Sequence, residues 1–239
     1  MPKVAIVAAL EREVRPLVSG WRVAEKEYSG RRFRFFEEGE TVVVCGGIGA
    51  EAARRAAEAV ILFFSPALIY SAGFAGALDG TLKVGDVLQP KRVVNARDGS
   101  SAVVEGGEGV LVTFSSVADP AQKAKLRESF GAAAVDMEAS AVARAAETHG
   151  ISFAVIKAIS DEANFEFPST EQFVDAEGKF NEGRFAIFAA LRPWLWPGVI
   201  RLARNSKRAS RTLSAALKGI DTSGLRGADV PVAGVADRP

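Results

Sequence analysis

The chain has 239 residues, of which 48% are hydrophobic and 25% charged, and its formal net charge is +1. This composition suits one globular domain with a full core, and a charge so close to zero argues against a general nucleic-acid-binding protein. The single cysteine, Cys45, excludes an internal disulfide and fits a reducing, cytoplasmic location. One histidine, His149, and the lack of a Cys-x-x-Cys pair argue against a zinc site and against histidine-dependent nucleophilic catalysis.

The N-terminal segment predicts a buried strand that leads into a helix. Residues 4–9 are apolar, and residues 11–18 continue as a helix. The charged residues directly after the strand, with no small-residue cleavage site, do not fit a signal peptide. Glu13 lies close to the strand end, where a carboxylate either serves a functional site or only complements the positive end of the helix dipole.

A glycine-rich turn follows the next two predicted strands. Residues 32–36 and 41–45 predict a hairpin, and the turn at 46–49 then leads into a helix over 50–64. Backbone N–H groups of such a turn can cradle an anion. It does not fit a dinucleotide site, because no acidic residue ends the following strand, residues 67–71.

The middle of the chain alternates short apolar and glycine-rich segments. Residues 72–76 predict a loop containing Gly73 and Phe74, whose backbone N–H groups would be open to close approach by a ligand. The elements predicted after it are a strand over 85–94, a polar mobile loop over 96–109, a strand over 110–114, and a helix that begins at Asp119-Pro120.

Two carboxylates stand between the next predicted strand and its following helix. Residues 132–135 predict a short buried strand, and Asp136 and Glu138 come directly after it, at the start of an amphipathic helix over 137–149. Ligands in open α/β sheets bind beyond the carboxyl ends of the strands, which favours a site here. The alternative is that both acids only complement the helix dipole.

A third carboxylate follows the next strand. Residues 151–159 are apolar, and Ser160 and Asp161 come directly after them. A strand, a helix and a strand in succession predict a parallel pair with a right-handed crossover. The sequence therefore predicts that Asp161 lies at the same edge of the sheet as Glu138.

The C-terminal part is basic and amphipathic. Residues 185–220 contain seven Arg or Lys and no Asp or Glu, with Trp194 and Trp196 before a helical pattern. One face of that helix carries Val199, Leu202, Ala203, Ser206, Ser210, Leu213 and Leu217. This pattern fits a helix lying on a membrane surface, and the alternative is a helix that packs its apolar face on the domain. Residues 1–220 are expected to form one domain and 221–239 a disordered tail.

Five stretches together resemble the nucleoside phosphorylase and nucleosidase superfamily, and most of all the 5′-methylthioadenosine/S-adenosylhomocysteine nucleosidases. They are VAALEREV, GGIGAEAA, SAGFAGAL with LKVGDV, AVDMEASAVA and KAISDEAN, in the family's order from Pro2 to about Asn164. The resemblance implies a three-layer α/β sandwich on a twisted mixed sheet, a homodimer, and cleavage of the N-glycosidic bond of a purine nucleoside. It implies no metal and no organic cofactor.

The resemblance also assigns roles to residues. By this resemblance Asp161 is the general acid for the leaving purine, and Ser160 orients it. Glu138 accepts hydrogen bonds from the ribose hydroxyls, and Met137 packs on the sugar. Glu13 orients the attacking water, and Gly73 and Phe74 lie near that water. The chemistry is consistent, because an oxocarbenium-like transition state is stabilised by nearby carboxylates and the leaving group needs an acid. Two departures put the substrate in question: Phe74 replaces a small serine, and residues 95–110 are shorter than the family's segment.

A narrower resemblance covers residues 190–197 and 201–206, which are similar to the hopanoid-associated phosphorylases. That subfamily implies release of adenine from adenosylhopane, whose 5′ position carries a polycyclic lipid. Three hypotheses stay open: a hydrolytic purine nucleosidase, a phosphorylase with phosphate as co-substrate, and a non-catalytic nucleoside-binding protein. Phosphate would need the glycine-rich segments 46–49 and 73–76, and Glu13 would repel it.

Overall fold

The strands of the described residues form an eleven-stranded mixed sheet at the centre of the fold. The structure is a computed structural model that describes residues 4–104, 106–166, 178, 181 and 196–220. The strands are β1 Val4–Ala8, β2 Arg22–Tyr28, β3 Arg31–Glu38, β4 Thr41–Cys45, β5 Leu68–Ala77, β6 Val87–Leu88, β7 Arg92–Asn95, β8 Ser101–Val103, β9 Val110–Thr113, β10 Ala134–Asp136 and β11 Ser152–Asp161. The helices of the described residues are α1 Glu11–Val18, α2 Ala50–Phe64, α3 Pro120–Phe130, α4 Ala139–Thr148 and α5 Trp196–Lys218.

Helices cover both faces of this sheet. Side chains of successive strand residues point to opposite faces, and β1 shows this directly. Ala5 and Val7 share a core with α2 and α4, whereas Val4 and Ile6 share a second core with α1 and α5. A strand that is buried on both faces needs apolar residues at every position, and β1 has them. The predicted three-layer α/β sandwich is confirmed.

Strand β5 organises the functional end of the sheet. It pairs in parallel with β1 over its first residues and with β11 along most of its length. Its last residues, Gly76 and Ala77, pair with β10 in the antiparallel direction. The prediction of a loop over 72–76 is therefore wrong, because the small residues there continue the strand and keep its ladder with β11.

The predicted parallel pairing of the two strands around α4 is also wrong. Strand β10 pairs with β9 and with the end of β5, and β11 lies on β5, so β10 and β11 run in opposite directions. Their ends still converge, since Val135 and Asp161 both have Gly76 as their partner on β5. The predicted meeting of Glu138 and Asp161 thus arises through β5.

Two further predictions in the middle of the chain need correction. The strand expected over 85–94 is split into β6 and β7, with Pro90 between them, and proline removes a ladder donor. The loop expected over 96–109 contains β8, which pairs with β7. The hairpin of β3 and β4 is confirmed, and so is the helix start at Asp119, whose side chain accepts from the Gln122 backbone N–H at 2.8 Å.

The C-terminal helix α5 divides into two parts. Ala209, Leu213 and Leu217 are buried in the core with α1, so this half packs on the domain. Among the described residues, no helix is both long and apolar enough to cross a membrane. Trp194 and the tail expected to be disordered, 221–239, lie outside the described residues. The single-domain assignment of 1–220 stays a prediction.

Candidate active site

A cavity of about 820 Å³ opens where the ends of β1, β5, β10 and β11 meet. Six of the seven residues predicted for the site line it: Glu13, Phe74, Met137, Glu138, Ser160 and Asp161. The seventh, Gly73, lies behind Glu13 instead. A Cβ atom at Gly73 would stand 2.9 Å from Glu13 Oε2, so glycine leaves the room that this carboxylate occupies.

Glu13 is a buried carboxyl in the first turn of α1. Its Oε2 accepts a hydrogen bond from the Leu10 backbone N–H at 3.4 Å. Burial raises the pKa of Glu13 from 4.5 to about 6, against the opposing charge of Lys157 and the backbone donors. A carboxyl that titrates near neutral pH can take up a proton during a reaction.

Glu138 is the residue before α4, and its carboxylate reaches back to the glycine-rich turn. Its Oε1 accepts from the Gly49 backbone N–H at 2.8 Å, and its Oε2 accepts from the Met137 backbone N–H at 3.3 Å. The turn that was expected to cradle an anion thus binds the carboxylate of Glu138. Burial, with the negative charge of Asp136 second, raises the pKa of Glu138 from 4.5 to about 7.

A buried lysine that the sequence interpretation assigned no role, Lys157, lies behind these two carboxyls. Its Nζ is 2.8 Å from Asp136 Oδ2. Burial would lower the pKa of Lys157, but the charges of Asp136, Glu138 and Glu13 outweigh it, and the pKa is raised. A lysine inside the apolar strand β11 was a readable signal, because lysine is almost never fully buried without a partner.

Asp136 lines the cavity, but its carboxylate is used to fix the start of α4. Its Oδ2 accepts from the Ala139 backbone N–H at 2.8 Å, and its Oδ1 accepts from the Thr113 hydroxyl at 2.7 Å. Both oxygens are therefore engaged at the start of α4. The view that an acid here complements the helix dipole holds for Asp136, whereas Glu138 points to the glycine-rich turn.

Asp161 carries a second buried ion pair. Lys123 on α3 donates from Nζ to Asp161 Oδ2 at 2.5 Å and to the Glu162 backbone carbonyl at 2.8 Å. Ser160 donates its hydroxyl to Asp161 Oδ1 at 2.7 Å. A Cβ atom at Gly76 would stand 2.8 Å from Asp161 Oδ2, so glycine is needed for this approach. The sequence interpretation missed Lys123, which differs from exposed Lys125 only by the helix face it occupies.

The N-terminal half of α5 forms an apolar wall of the same cavity. Its contributing residues are Val199, Leu202, Ala203 and Ser206. Phe74 also lines the cavity, from the end of β5. The cavity thus combines buried carboxyl and ammonium groups with an apolar surface. Among the residues that the structure describes, no group of three or more His, Cys, Asp or Glu is arranged to hold a metal ion.

Known proteins share this fold. The structure superposes on the 5′-methylthioadenosine/S-adenosyl homocysteine nucleosidase of Helicobacter pylori with a TM-score of 0.68 and 19% identity, covering 91% of this chain and 96% of the other. It superposes on the futalosine hydrolase of the same organism with a TM-score of 0.65 and 19% identity, covering 92% and 98%. At these identities the likeness establishes the fold alone.

Sequence comparisons agree. The 5′-methylthioadenosine/S-adenosylhomocysteine nucleosidase of Staphylococcus aureus strain MRSA252 is 28% identical over 201 residues, which cover 68% of this chain and 88% of the relative. The chain also matches the Phosphorylase superfamily over residues 3–121 and 108–191. Since these matches span well over half of the sequence, the protein belongs to the Phosphorylase superfamily.

Proposed function

We propose that the protein is a purine nucleosidase that hydrolyses the N-glycosidic bond of a 5′-substituted adenosine and releases adenine. The observation that carries the proposal is the convergence of Glu13, Glu138 and Asp161 on one cavity, with the pKa of Glu13 near 6 and that of Glu138 near 7. The names of the similar proteins, nucleosidases of 5′-methylthioadenosine and S-adenosylhomocysteine, support the same reaction class.

In the proposed reaction the residues act on both sides of the glycosidic bond. Glu13 orients a water molecule and takes its proton as the oxygen adds to C1′ of the ribose. Glu138 accepts hydrogen bonds from the ribose hydroxyls, and Met137 packs on the sugar. The electron pair of the broken C–N bond stays on the purine, which takes a proton from the subsite of Ser160 and Asp161. The two glutamates also stabilise the positive charge that develops on the sugar.

Water fits this site better than phosphate as the attacking group. A phosphate would need free N–H donors, but the Gly49 N–H already donates to Glu138. The negative charges of Glu13 and Glu138 would also repel it. Hydrolysis is therefore the proposed reaction, and phosphorolysis is the alternative that the assay must test.

The 5′ substituent in this proposal is large and apolar. A cavity of about 820 Å³ is near the upper end of the range of about 300–1,000 Å³ for small-molecule sites. The wall of Val199, Leu202 and Ala203 gives an apolar substituent a surface to pack on. Adenosylhopane is the proposed natural substrate, and 5′-methylthioadenosine or S-adenosylhomocysteine is the alternative.

The direct test measures adenine release from adenosines with 5′ substituents of increasing length, each with and without phosphate. We expect free adenine and a reducing sugar without phosphate, and no gain in rate when phosphate is added. kcat/KM should rise several-fold per methylene until the wall is filled, because burying one methylene is worth about 0.8 kcal/mol. Formation of a ribose 1-phosphate would identify a phosphorylase, and binding of all substrates without turnover would identify a nucleoside-binding protein.

A pair of variants tests the apolar wall. Ala203→Trp should lower kcat/KM for the long 5′ substituents by at least tenfold and leave the 5′-methylthio substrate within a few-fold. Ala215→Trp is the matched control, because Ala215 is an exposed residue of the same helix away from the cavity. Equal losses for short and long substituents in Ala203→Trp would argue against this wall as the 5′ subsite.

The same proposal includes contact with a membrane surface beside the cavity. Trp196 and Ile200 on α5 are each 50% exposed, and Arg201 and Arg204 lie on the same helix. Exposed Trp and Ile next to arginines suit the interface of an anionic bilayer. Co-sedimentation with anionic liposomes should fall with salt and with Ile200→Ser, whereas Leu62→Ser, a change at a residue of α2 that is 63% exposed, should have no effect. Binding that is absent at low salt would remove this part of the proposal.

The homodimer that the family resemblance implies is also part of the proposal. Its measurement is the molar mass by light scattering during size-exclusion chromatography. A mass of about twice the 25.3 kDa of one chain is expected, and a monomer at all concentrations would contradict it.

A further inference from the structure

Lys123 is a buried cation at the edge of the candidate active site. Its side chain is only 2% exposed, although Lys125 on the same helix is exposed. An ammonium group has three N–H donors. Two of them have partners among the described residues, the Oδ2 of Asp161 and the carbonyl of Glu162. Lys123 also lines the cavity, where a bound base can meet it.

The partner of Lys123 has both carboxylate oxygens engaged. Asp161 Oδ2 accepts from the ammonium, and Oδ1 accepts from the Ser160 hydroxyl. A carboxylate in such a pair accepts hydrogen bonds and has no proton of its own to donate. The proton between the two groups is on Lys123. A base that leaves next to Asp161 is therefore protonated by the pair as a whole.

We propose that Lys123 is the source of the proton that the departing purine receives, with Asp161 as the relay. The inference rests on the proposed nucleosidase function and deepens it. As the C–N bond breaks and its electron pair moves onto the purine, a proton of the Lys123 ammonium moves to Asp161 Oδ2 and on to a ring nitrogen of the purine. Asp161 is then again a carboxylate, and Lys123 is left as a neutral amine. The proton that Glu13 takes from water balances the transfer, and exchange with solvent restores both groups.

Gly76 is the backbone feature that permits this relay. A Cβ atom there would lie 3.3 Å from Lys123 Nζ as well as 2.8 Å from Asp161 Oδ2. Any side chain at this position would therefore press on the hydrogen bond that carries the proton. The pair is a built part of the site, assembled from α3, β5 and β11.

The test compares a leaving group that needs a proton with one that does not. The substrates are a 5′-substituted adenosine and the 4-nitrophenyl riboside with the same 5′ substituent, since 4-nitrophenolate departs as a stable anion. The variants are Lys123→Met and Lys123→Arg, with Lys125→Met as the matched control. Arginine keeps the charge and the ion pair but cannot release a proton.

We expect both Lys123 variants to lower kcat/KM for the adenosine substrate by a factor on the order of 10²–10⁴. Their kcat/KM for the nitrophenyl riboside should stay within a few-fold of the wild-type value, and Lys125→Met should be unchanged on both substrates. A fully active Lys123→Arg enzyme would overturn the proposal, because Lys123 would then only supply charge. Equal losses on both substrates in a folded variant would overturn it too.

A double variant guards against loss of folding. Lys123→Met combined with Asp161→Asn removes both buried charges, and circular dichroism and the melting temperature report its fold. Because the two residues act as one unit, its loss on the adenosine substrate should match that of Asp161→Asn alone. Multiplied losses would show two independent roles and overturn the relay. A wild-type protein that releases adenine from no adenosine would instead defeat the proposed function itself.

Discussion

Among the described residues, two buried lysine–aspartate pairs share the same chemistry in different surroundings. Lys157 and Asp136 lie inside the sheet, with side chains 1% and 0% exposed. Lys123 and Asp161 are 2% and 6% exposed, and both line the cavity, whereas of the first pair only Asp136 lines it. We call the first pair closed, because the Asp136 side chain is 0% exposed and its oxygens also accept from a hydroxyl and a backbone N–H. We call the second pair open, because the Asp161 side chain is 6% exposed and a ligand in the cavity can reach it.

The difference separates a structural charge from a chemical one. Burial raises the pKa values of Glu13 and Glu138, and the positive charge of the Lys157 ammonium partly offsets this rise. Lys157 therefore acts on the site electrostatically without lining the cavity. The ammonium of Lys123 lies against the carboxylate that is expected to meet the leaving base. Replacing Lys157 should therefore act mainly on stability. Replacing Asp161, the partner of Lys123, should act mainly on turnover.

The largest expected effect is on catalysis at the open pair. Asp161→Asn should lower adenine release by a factor on the order of 10²–10⁴ while the protein stays folded, because an amide cannot pass on the proton. Glu162→Gln is the control, since its side chain is 42% exposed and its backbone carbonyl is unchanged. Steady-state kinetics with a folded Asp161→Asn enzyme that works within a few-fold of wild type would disprove the assignment.

The closed pair should show the larger loss of stability. Lys157→Met leaves Asp136 charged and buried, and breaking such a pair costs about 3–5 kcal/mol. For a chain of this size that corresponds to a fall of on the order of 10 °C in melting temperature. The melting temperature of Lys123→Met should fall by less, because the Asp161 side chain is 6% exposed, against 0% for Asp136, and water can solvate it. Calorimetry that ranks the two variants the other way would contradict the distinction between the pairs.

Much of the candidate site was predictable because its carboxylates follow apolar strands. Glu13, Glu138 and Asp161 each come shortly after such a run, and strand ends in α/β sheets are where sites form. The two lysines were harder. Lys157 could have been noticed, because it is a charged residue within an apolar strand. Nothing in the local sequence distinguishes Lys123 from Lys125, since a tertiary contact decides which of the two is buried.

The fold class followed from the sequence, and the pairing of strands did not. The apolar runs predicted the layers, because burial on both faces leaves a composition signal. Strand β10 is only three residues long, so its partners depend on the end of β5 rather than on its own sequence. Strand β2 was not predicted, since it is a polar edge strand whose side chains are exposed or half-exposed.

A smaller effect is expected at the ribose contact, which lies on the side of the closed pair. Glu138→Gln should raise KM or lower kcat/KM by the equivalent of about 1.5–3 kcal/mol, the worth of a hydrogen bond to a charged group. The Gly49 N–H can still donate to the amide oxygen, so the turn stays in place. Glu147→Gln, on the exposed side of α4, is the control. Equal kcat/KM for ribo- and 2′-deoxyribonucleosides in the wild type would remove Glu138 from this role.

The smallest effect is a pH-dependent gain in stability when Glu13 is neutralised. The pKa of Glu13 is about 6 in the folded protein, above its ordinary value of 4.5, because burial disfavours the charged form. The stability that this carboxyl contributes is therefore present below pH 4.5 and is lost as the pH rises through 6. Glu13→Gln does not titrate, so its melting temperature should equal the wild-type value near pH 4.5 and exceed it above pH 7. The gain is at most about 2 kcal/mol at about 1.36 kcal/mol per pKa unit, or several degrees. Glu11→Gln is the control, because Glu11 is a half-exposed residue of the same helix, and it should show no such gain in melting temperature above pH 7. A Glu13→Gln protein that is less stable than wild type at pH 8 would show that Lys157 outweighs burial at this carboxyl.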